Sequence, residues 1–355
     1  MDKKVLMKGN EAIAEAAIRA GCRHYFGYPI TPQTELAAYM AKRMPKIGGV
    51  FLQAESEIAA INMVYGVAST GRRVMTSSSS PGVSLKQEGI SYIAGSDLPC
   101  LIVNVQRGGP GLGGIQPSQS DYFQATKGGG HGDYHLIVVA PSSVQEMADL
   151  TSLAFDLSEK YRVPAMLLAD GTIGQMMEPV VLSEPHDPVF TEKDWAVTGT
   201  KGQREHHIVN SLYLVPEELE KKNFERFERY QAIEDNEVRY ERFMMDDADY
   251  CVVAFGIAAR VSKNAVVEAR KQGMKVGLIR PITLWPFPKQ ALAEAAKQVK
   301  GFLSVELSMG QMVEDVRLAV NCSRPVALCR RTGGMIMSPD EVLDALKKLA
   351  GGAES

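Results

Sequence analysis

Near-continuous apolar runs set the tightest limit on what this chain can fold into. LPCLIVNVQ (98–106), HLIVVAP (135–141), VPAMLLAD (163–170), YCVVAFG (250–256), KVGLIRP (275–281) and GFLSVEL (301–307) do not alternate apolar with polar residues. A strand of that pattern is covered on both faces, as in a parallel sheet layered with helices. Stretches of helical spacing lie between and around the runs, among them NEAIAEAAIRAG (10–21), SVQEMADLTSLAFDLSEKY (143–161), RVSKNAVVEARKQG (260–273) and SPDEVLDALKKLA (338–350). Strands alternating with helices predict an α/β protein built on parallel sheets.

The rhythm runs through residues 1–185, breaks over 186–245, and resumes from 246 to 355. The break contains VPEELEKKNFERFERYQAIEDNEVRYERF (215–243), dense in charge and helical in propensity, which reads as a charged helical connector. With 355 residues and 45% hydrophobic content, the chain can build two cores. A net charge of −3 gives no electrostatic reason to expect nucleic acid or an anionic membrane. No run reaches the length of a membrane span, and MDKKVLMKGNEA lacks the apolar centre of a signal peptide, so a cytoplasmic protein is expected. The five cysteines form no CxxC, and each lies in or beside an apolar stretch, so they are expected to be reduced, buried, small hydrophobes. The histidines show no zinc spacing, and there is no GxSxG for a serine nucleophile.

Ligands of parallel α/β sheets collect at the carboxyl ends of strands, which directs attention to four loops. In GYPITPQTEL (27–36), two prolines fix the backbone around Ile30 and Thr31. Thr31 suits a helix N-cap with Pro32 at the first helical position, and it equally suits a hydroxyl held out over a pocket. In FLQAESEIAA (51–60), a strand-like run meets Glu55, Ser56 and Glu57 and continues as an apolar helix. A helix dipole accounts for an exposed carboxylate in a first turn. It accounts less well for Glu57, which leads into IAAINMVYGVA, and a carboxyl buried there calls for a specific partner. TSSSSPGVSLKQEG (76–89) reads as a polar loop of hydroxyls and backbone N–H groups, suited to phosphate or substrate or else a plain turn, with no lysine at P-loop spacing. In NVQRGGPGLGGIQPSQSD (104–121), Arg107 ends a strong strand and offers a rigid fork for a small carboxylate, or an ion pair with Asp121. The glycines that follow are not a GxGxxG opening a helix.

Taken together, GNEAIAEAAIRAGCRHYFGYPITPQTEL, ESEIAAINMVYGVASTGRRVMTSSSSPG and IVNVQRGGPG resemble the 2-oxoacid:ferredoxin oxidoreductases, and more narrowly their pyrimidine-domain subunit. VAFGIAARVSKNAVVEARKQGMKVGLIRPITLWPFP resembles the family's transketolase C-terminal-like domain, so the likeness covers nearly the whole chain. It implies a pyrimidine-type thiamine-diphosphate-binding domain over 1–185 and a transketolase C-terminal-like α/β domain over 246–355. In this family a buried glutamate hydrogen-bonds the aminopyrimidine of thiamine diphosphate and promotes the reactive ylid. Glu57 matches that position and Glu55 is expected nearer the surface. Thr31, with Pro29 and Ile30, would lie against the cofactor and the substrate oxo group. Arg107 would pair with the substrate carboxylate, and Ser79, Ser80 and Gly108 would line the neighbourhood.

Departures from a complete enzyme belong to the same expectation. LADGTIG (168–174) looks like the diphosphate–Mg²⁺ motif of thiamine enzymes, but Ala169 replaces its first glycine and the next asparagine is as distant as Asn210. The resemblance therefore implies that this chain holds no metal. Mg²⁺ and [4Fe–4S] clusters would sit on partners: a diphosphate-binding catalytic subunit, a gamma-type subunit and a ferredoxin-like iron–sulfur subunit. Ferredoxin would accept the electrons and CoA the acyl group. The form resembled is the one associated with branched-chain 2-oxoacids such as 3-methyl-2-oxobutanoate. Alternatives are a 2-oxoglutarate- or pyruvate-specific member, a lipoate-coupled dehydrogenase or transketolase, and a non-catalytic scaffold subunit.

Overall fold

A computed structural model describes residues 4–185 and 193–351. The start of the expected connector, 186–192, lies outside them. The larger sheet has seven strands among the described residues, in the order Thr283–Trp285, Ile137–Val139, Ala165–Asp170, Leu101–Gln106, Val74–Ser78, His24–Gly27, Val50–Gln53. All pairings are parallel except the first, where Thr283–Trp285 runs antiparallel to Ile137–Val139. Every residue of Val74–Ser78, Leu101–Gln106 and Ala165–Asp170 is buried, as their unbroken apolar character requires. Gly9–Arg19 packs on Val144–Tyr161 and Thr34–Arg43, and Glu57–Ser69 packs on Ser80–Gly95.

A second sheet of five strands has the order Val326–Arg330, Gly301–Glu306, Tyr250–Val253, Val276–Pro281, Tyr240–Phe243. The last is antiparallel and comes from the stretch read as helical connector. That stretch does contain the helix Pro216–Asn236, with Arg226, Tyr230 and Ile233 buried. Tyr240–Phe243 escapes a pattern search because only alternate residues of its four face inward, at a sheet edge. Lys4–Lys8 and Met177–Val181 form a further antiparallel pair that the sequence reading did not contain.

Two local expectations are corrected. The polar loop after Val74–Ser78 does not exist: a helix begins at Ser80, with Ser79 at its N-cap and Pro81 in its first turn, where a missing N–H does no harm. Thr31 is not an N-cap either, because the helix starts at Thr34 behind Gln33. Of the cysteines, Cys22, Cys100 and Cys251 are buried, and burial pushes each thiol up to about 12. Cys322 is exposed in the turn after the helix Met312–Ala319, and Cys329 is half-buried. Among the described residues no helix is long and apolar enough to cross a membrane.

Buried polar contacts lock the two sheets together. The Gln119 side chain accepts from Leu307 N–H (3.0 Å) and donates to the Phe255 carbonyl (2.8 Å). Tyr122 donates to Asp315 at 2.5 Å, and Arg280 forks onto Glu146 while also donating to Glu241. Asp170 caps two helices at once: Oδ1 accepts from Thr172 and Ile173, and Oδ2 accepts from Ile257 across the interface. Burial pushes its pKa up from 3.8 to about 6, against the pull of those N–H groups. A folded value above the unfolded one means a contribution complete below 3.8 and lost as pH rises through about 6. Wild-type stability relative to Asp170→Asn should therefore grow by roughly 1 kcal/mol between pH 7 and pH 5, read from urea midpoints. A difference that stays flat with pH would place the titration elsewhere.

Candidate active site

Strand registers bring the sequence-predicted residues to one rim. Gly27 pairs with Gln53, Ser78 with Asn104, and Gln106 with Asp170, so the segments that follow these strands leave the sheet at the same level. At the edge, Ser56 caps the helix Glu57–Ser69 by accepting from Ala59 N–H (3.2 Å), which fixes Glu57 as its first residue. Glu55 is exposed, whereas Glu57 is only 6% exposed. The Glu57 carboxyl lies against the next helix: a Cβ on Gly82 would stand 2.7 Å from its Oε1 and 2.2 Å from Ser78 Oγ. Only glycine fits there. Among the described residues nothing hydrogen-bonds the Glu57 carboxyl at ordinary range, and the buried hydroxyls of Ser78 and Ser79 are also without partners.

Behind this wall the hydroxyl of Ser77 is held by Tyr25 Oη (2.7 Å) and donates to Gln33 Oε1 (2.6 Å). Lys86, one helical turn beyond Gly82, is fully buried and donates to Thr76 Oγ1 (2.6 Å) and the Ser77 carbonyl (3.2 Å). Desolvation pushes its pKa down to about 7, with Glu57 opposing. The sequence reading missed this lysine. Its signal was a cation four residues after Gly82 on a helix face whose other members, Val83, Gly89 and Ile90, are apolar or small.

Arg107 is 7% exposed. Its Nη1 donates to the Thr31 carbonyl (3.0 Å) and its Nη2 to the Leu112 carbonyl (3.1 Å), while its buried Nε has no partner. The alternative of an ion pair with Asp121 is not realised. Asp121, its proton affinity raised by burial, accepts instead from Ser80 Oγ (2.6 Å) and Asn104 Nδ2 (2.9 Å). Among the described residues no carboxylate offsets the guanidinium.

Thr31 is brought to Arg107 through its carbonyl, and its side chain is exposed. The next carbonyl, of Pro32, accepts from Asn10 (2.8 Å) and Gln175 (3.1 Å), so the turn carrying Pro29, Ile30 and Thr31 is held from behind. Ser80 has its hydroxyl committed to Asp121 and to the Arg107 N–H (3.0 Å), unlike that of Ser79. Gly108 closes a tight turn: Gly114 N–H donates to its carbonyl (2.9 Å), and a Cβ on Gly113 would strike the same oxygen. An open cleft of about 680 Å³, lined by Ser80, Pro81, Gly108, Gly109, Gln311 and Thr332, leads to this corner from the second sheet. Chemically, the rim offers a carboxyl able to exchange a proton, unpaired hydroxyls, and a buried cation suited to a carboxylate.

Residues 15–244 match the family model described as pyruvate flavodoxin/ferredoxin oxidoreductase, thiamine diphosphate-binding, and 248–342 match pyruvate:ferredoxin oxidoreductase core domain II. The chain is 51% identical over 346 residues to ketoisovalerate oxidoreductase subunit VorB of Methanothermobacter marburgensis, covering 98% of each. It is 37% identical over 380 residues to 2-oxoglutarate synthase subunit KorA of the same organism, covering 98% of this chain and 99% of that one. A solved structure of 2-oxoglutarate:ferredoxin oxidoreductase from Magnetococcus marinus superposes with a TM-score of 0.85 at 28% identity, over 98% of this chain and 65% of that one. A split-gene transketolase, 12% identical with a TM-score of 0.59, shares the fold alone. With its thiamine-diphosphate-binding fold and these relatives, the chain belongs to the 2-oxoacid:ferredoxin oxidoreductases, as a subunit of an enzyme that oxidises 2-oxoacids with ferredoxin as acceptor.

Proposed function

We propose that this chain supplies the pyrimidine-side half of a thiamine diphosphate site, completed by a partner subunit, in an enzyme that turns a branched-chain 2-oxoacid into acyl-CoA. One observation carries the reading. At a single rim, a buried carboxyl and a buried guanidinium each lack a hydrogen-bonded counter-ion. Buried charges are rarely left so unless a ligand completes them. The residues fit the cofactor: Gly82 opens a cradle beside Glu57 that any Cβ would fill, and the hydroxyls of Ser78 and Ser79 are free to bond a polar ring.

When bound, thiamine diphosphate supplies a carbon nucleophile for the oxo carbon and a sink for the electron pair released with CO2. Glu57 holds a proton at its carboxyl and exchanges it with a ring nitrogen of the aminopyrimidine. Arg107 receives the 2-oxoacid carboxylate on its unpartnered Nε, with its two terminal nitrogens braced by the Thr31 and Leu112 carbonyls. That bracing fixes the fork before substrate arrives and orients the oxo carbon. Thr31, on the turn held by Asn10 and Gln175, stands beside the oxo group, with Pro29 and Ile30 shaping the approach. Ser79 and Gly108 line the pocket, and Ser80 acts at one remove by holding Arg107 and Asp121.

Overall, one 2-oxoacid, one CoA thiol and two oxidised ferredoxins give acyl-CoA, CO2, a proton and two reduced ferredoxins. Mg²⁺ and the [4Fe–4S] clusters are assigned to the diphosphate-binding and ferredoxin-like partner subunits, beside a gamma-type subunit. Asp170 supports the Mg²⁺ assignment, since both its oxygens are already occupied by backbone N–H groups. For the substrate, the loop from Gly108 to Asp121 carries no cation for a second carboxylate, and its Leu112 and Ile115 are 83% and 57% exposed. This favours an apolar side chain over 2-oxoglutarate, in line with the ketoisovalerate relatives. The assembly is placed in the cytoplasm.

Three results would test this reading. In the assembled enzyme, Glu57→Gln should lower kcat by about 100-fold or more with subunit composition intact; undiminished turnover removes Glu57 from the mechanism and favours a scaffold role. Arg107→Ala should raise KM for every 2-oxoacid, by a loss of about 2–5 kcal/mol, whereas an unmoved KM makes Arg107 a brace for the Thr31 turn. Anaerobic viologen reduction with CoA and a panel of oxoacids should be fastest with 3-methyl-2-oxobutanoate. Preference for 2-oxoglutarate or pyruvate would show that the partner subunit sets the pocket.

A further inference from the structure

Lys86 takes no part in the proposed reaction, yet its position demands a role. It is completely buried in the helix Ser80–Gly95, held by Thr76 Oγ1 and the Ser77 carbonyl of the adjacent strand. Methionine or leucine would fill that volume without the penalty of desolvating an amine. No carboxylate stands at ion-pair distance from it among the described residues. The strand facing it contributes only neutral groups: Thr76 and Ser77, the latter tied to Gln33 and to Tyr25, whose phenol burial keeps protonated with a value of about 12. The remaining neighbour is the start of the helix Glu57–Ser69, packed against Lys86's own helix, and from it Glu57 is the one charge that acts on the amine. On that helix, Gly82 touches the Glu57 carboxyl and Lys86 follows four residues later on the same face. An amine without an ion-pair partner thus lies on the same helix face as the residue that touches a carboxyl without one.

We propose that Lys86 is a positioning residue for Glu57: its ammonium is the fixed counter-charge that stabilises the carboxylate left when Glu57 gives its proton to the cofactor's ring nitrogen. The proposal rests on the role given to Glu57 above. The transfer balances as one proton leaving a carboxyl oxygen for one ring nitrogen, with the positive charge of Lys86 unchanged. Burial brings that amine's own ionisation down to about 7, so the counter-charge fades as pH rises above neutrality.

A readout other than turnover is the pH midpoint at which the aminopyrimidine of bound thiamine diphosphate changes tautomer. It is followed by near-ultraviolet circular dichroism of the intact, substrate-free complex. Removing a buried positive charge makes a nearby proton harder to lose. Lys86→Met and Lys86→Gln should therefore both move the midpoint upward by roughly one pH unit or more. Gln keeps a hydrogen bond to Thr76 without the charge, so a merely structural lysine predicts normal midpoints at least in Lys86→Gln, and that result overturns the proposal. Should neither variant assemble, the wild-type titration decides: two coupled transitions support the pair, and a single transition overturns it. Glu57→Gln separates the two readings. A tautomer response that survives Glu57→Gln sinks the role of Glu57 itself. A response lost in Glu57→Gln but unmoved in both Lys86 variants sinks only the role of Lys86.

Discussion

Strand register in the larger sheet decides where every reactive group of this chain ends up. Ser78 stands opposite Asn104 and Gln106 opposite Asp170, so central strands from distant parts of the sequence finish level with one another. Segments leaving those ends, with Thr31, Glu57, Ser79, Arg107 and Asp170, share one rim. A slip of one residue in any pairing would send each following side chain to the opposite face. The complete burial of Val74–Ser78, Leu101–Gln106 and Ala165–Asp170 forbids such a slip, because it would disturb helices packed on both sides.

Around that rim the polar groups fall into two sets. Asn104, Asp121, Ser80, Gln33, Ser77 and Asp170 are mutually satisfied and act as a frame. The hydroxyls of Ser78 and Ser79 and Nε of Arg107 are buried without partners, and among the described residues no hydrogen bond reaches the Glu57 carboxyl. An unpaired buried polar group costs about 1–3 kcal/mol, so a cluster of them inside a satisfied frame is stability withheld until something binds. In the proposed reading the frame sets the positions and the unsatisfied set does the recognising. Glu57 belongs to the second set because Ser56 holds the helix start in place and Gly82 leaves it room.

The architecture was legible wherever apolar pattern dominates. Strands buried on both faces, the Pro216–Asn236 helix and the carboxylate seam at Glu57 all follow from residue type and spacing. Legibility failed where long-range pairing overrides local signal. Thr283–Trp285 is three residues long and joins a sheet assembled from residues far upstream. The run of serines looks like a loop until Pro81 is recognised as a first-turn residue of a helix beginning at Ser80. Arg107 and Asp121 lie close enough in sequence to suggest a pair, but Ser80 and Asn104 take the carboxylate first. Lys86 went unread because lysine is normally taken for a surface residue, and its spacing from Gly82 does not by itself reveal the complete burial that the packed structure shows.

Ile282 stands between the two sheets: Val276–Pro281 belongs to one and Thr283–Trp285 to the other, while Ala140 N–H donates to the Ile282 carbonyl at 2.8 Å. The backbone thus passes from sheet to sheet with no slack. Rotation of one sheet against the other would have to tear an antiparallel pairing as well as the Asp170 and Gln119 contacts. A hinge across this seam is therefore mechanically blocked. Load applied at one sheet is thereby passed to the other through the main chain itself, and the two behave as a single body.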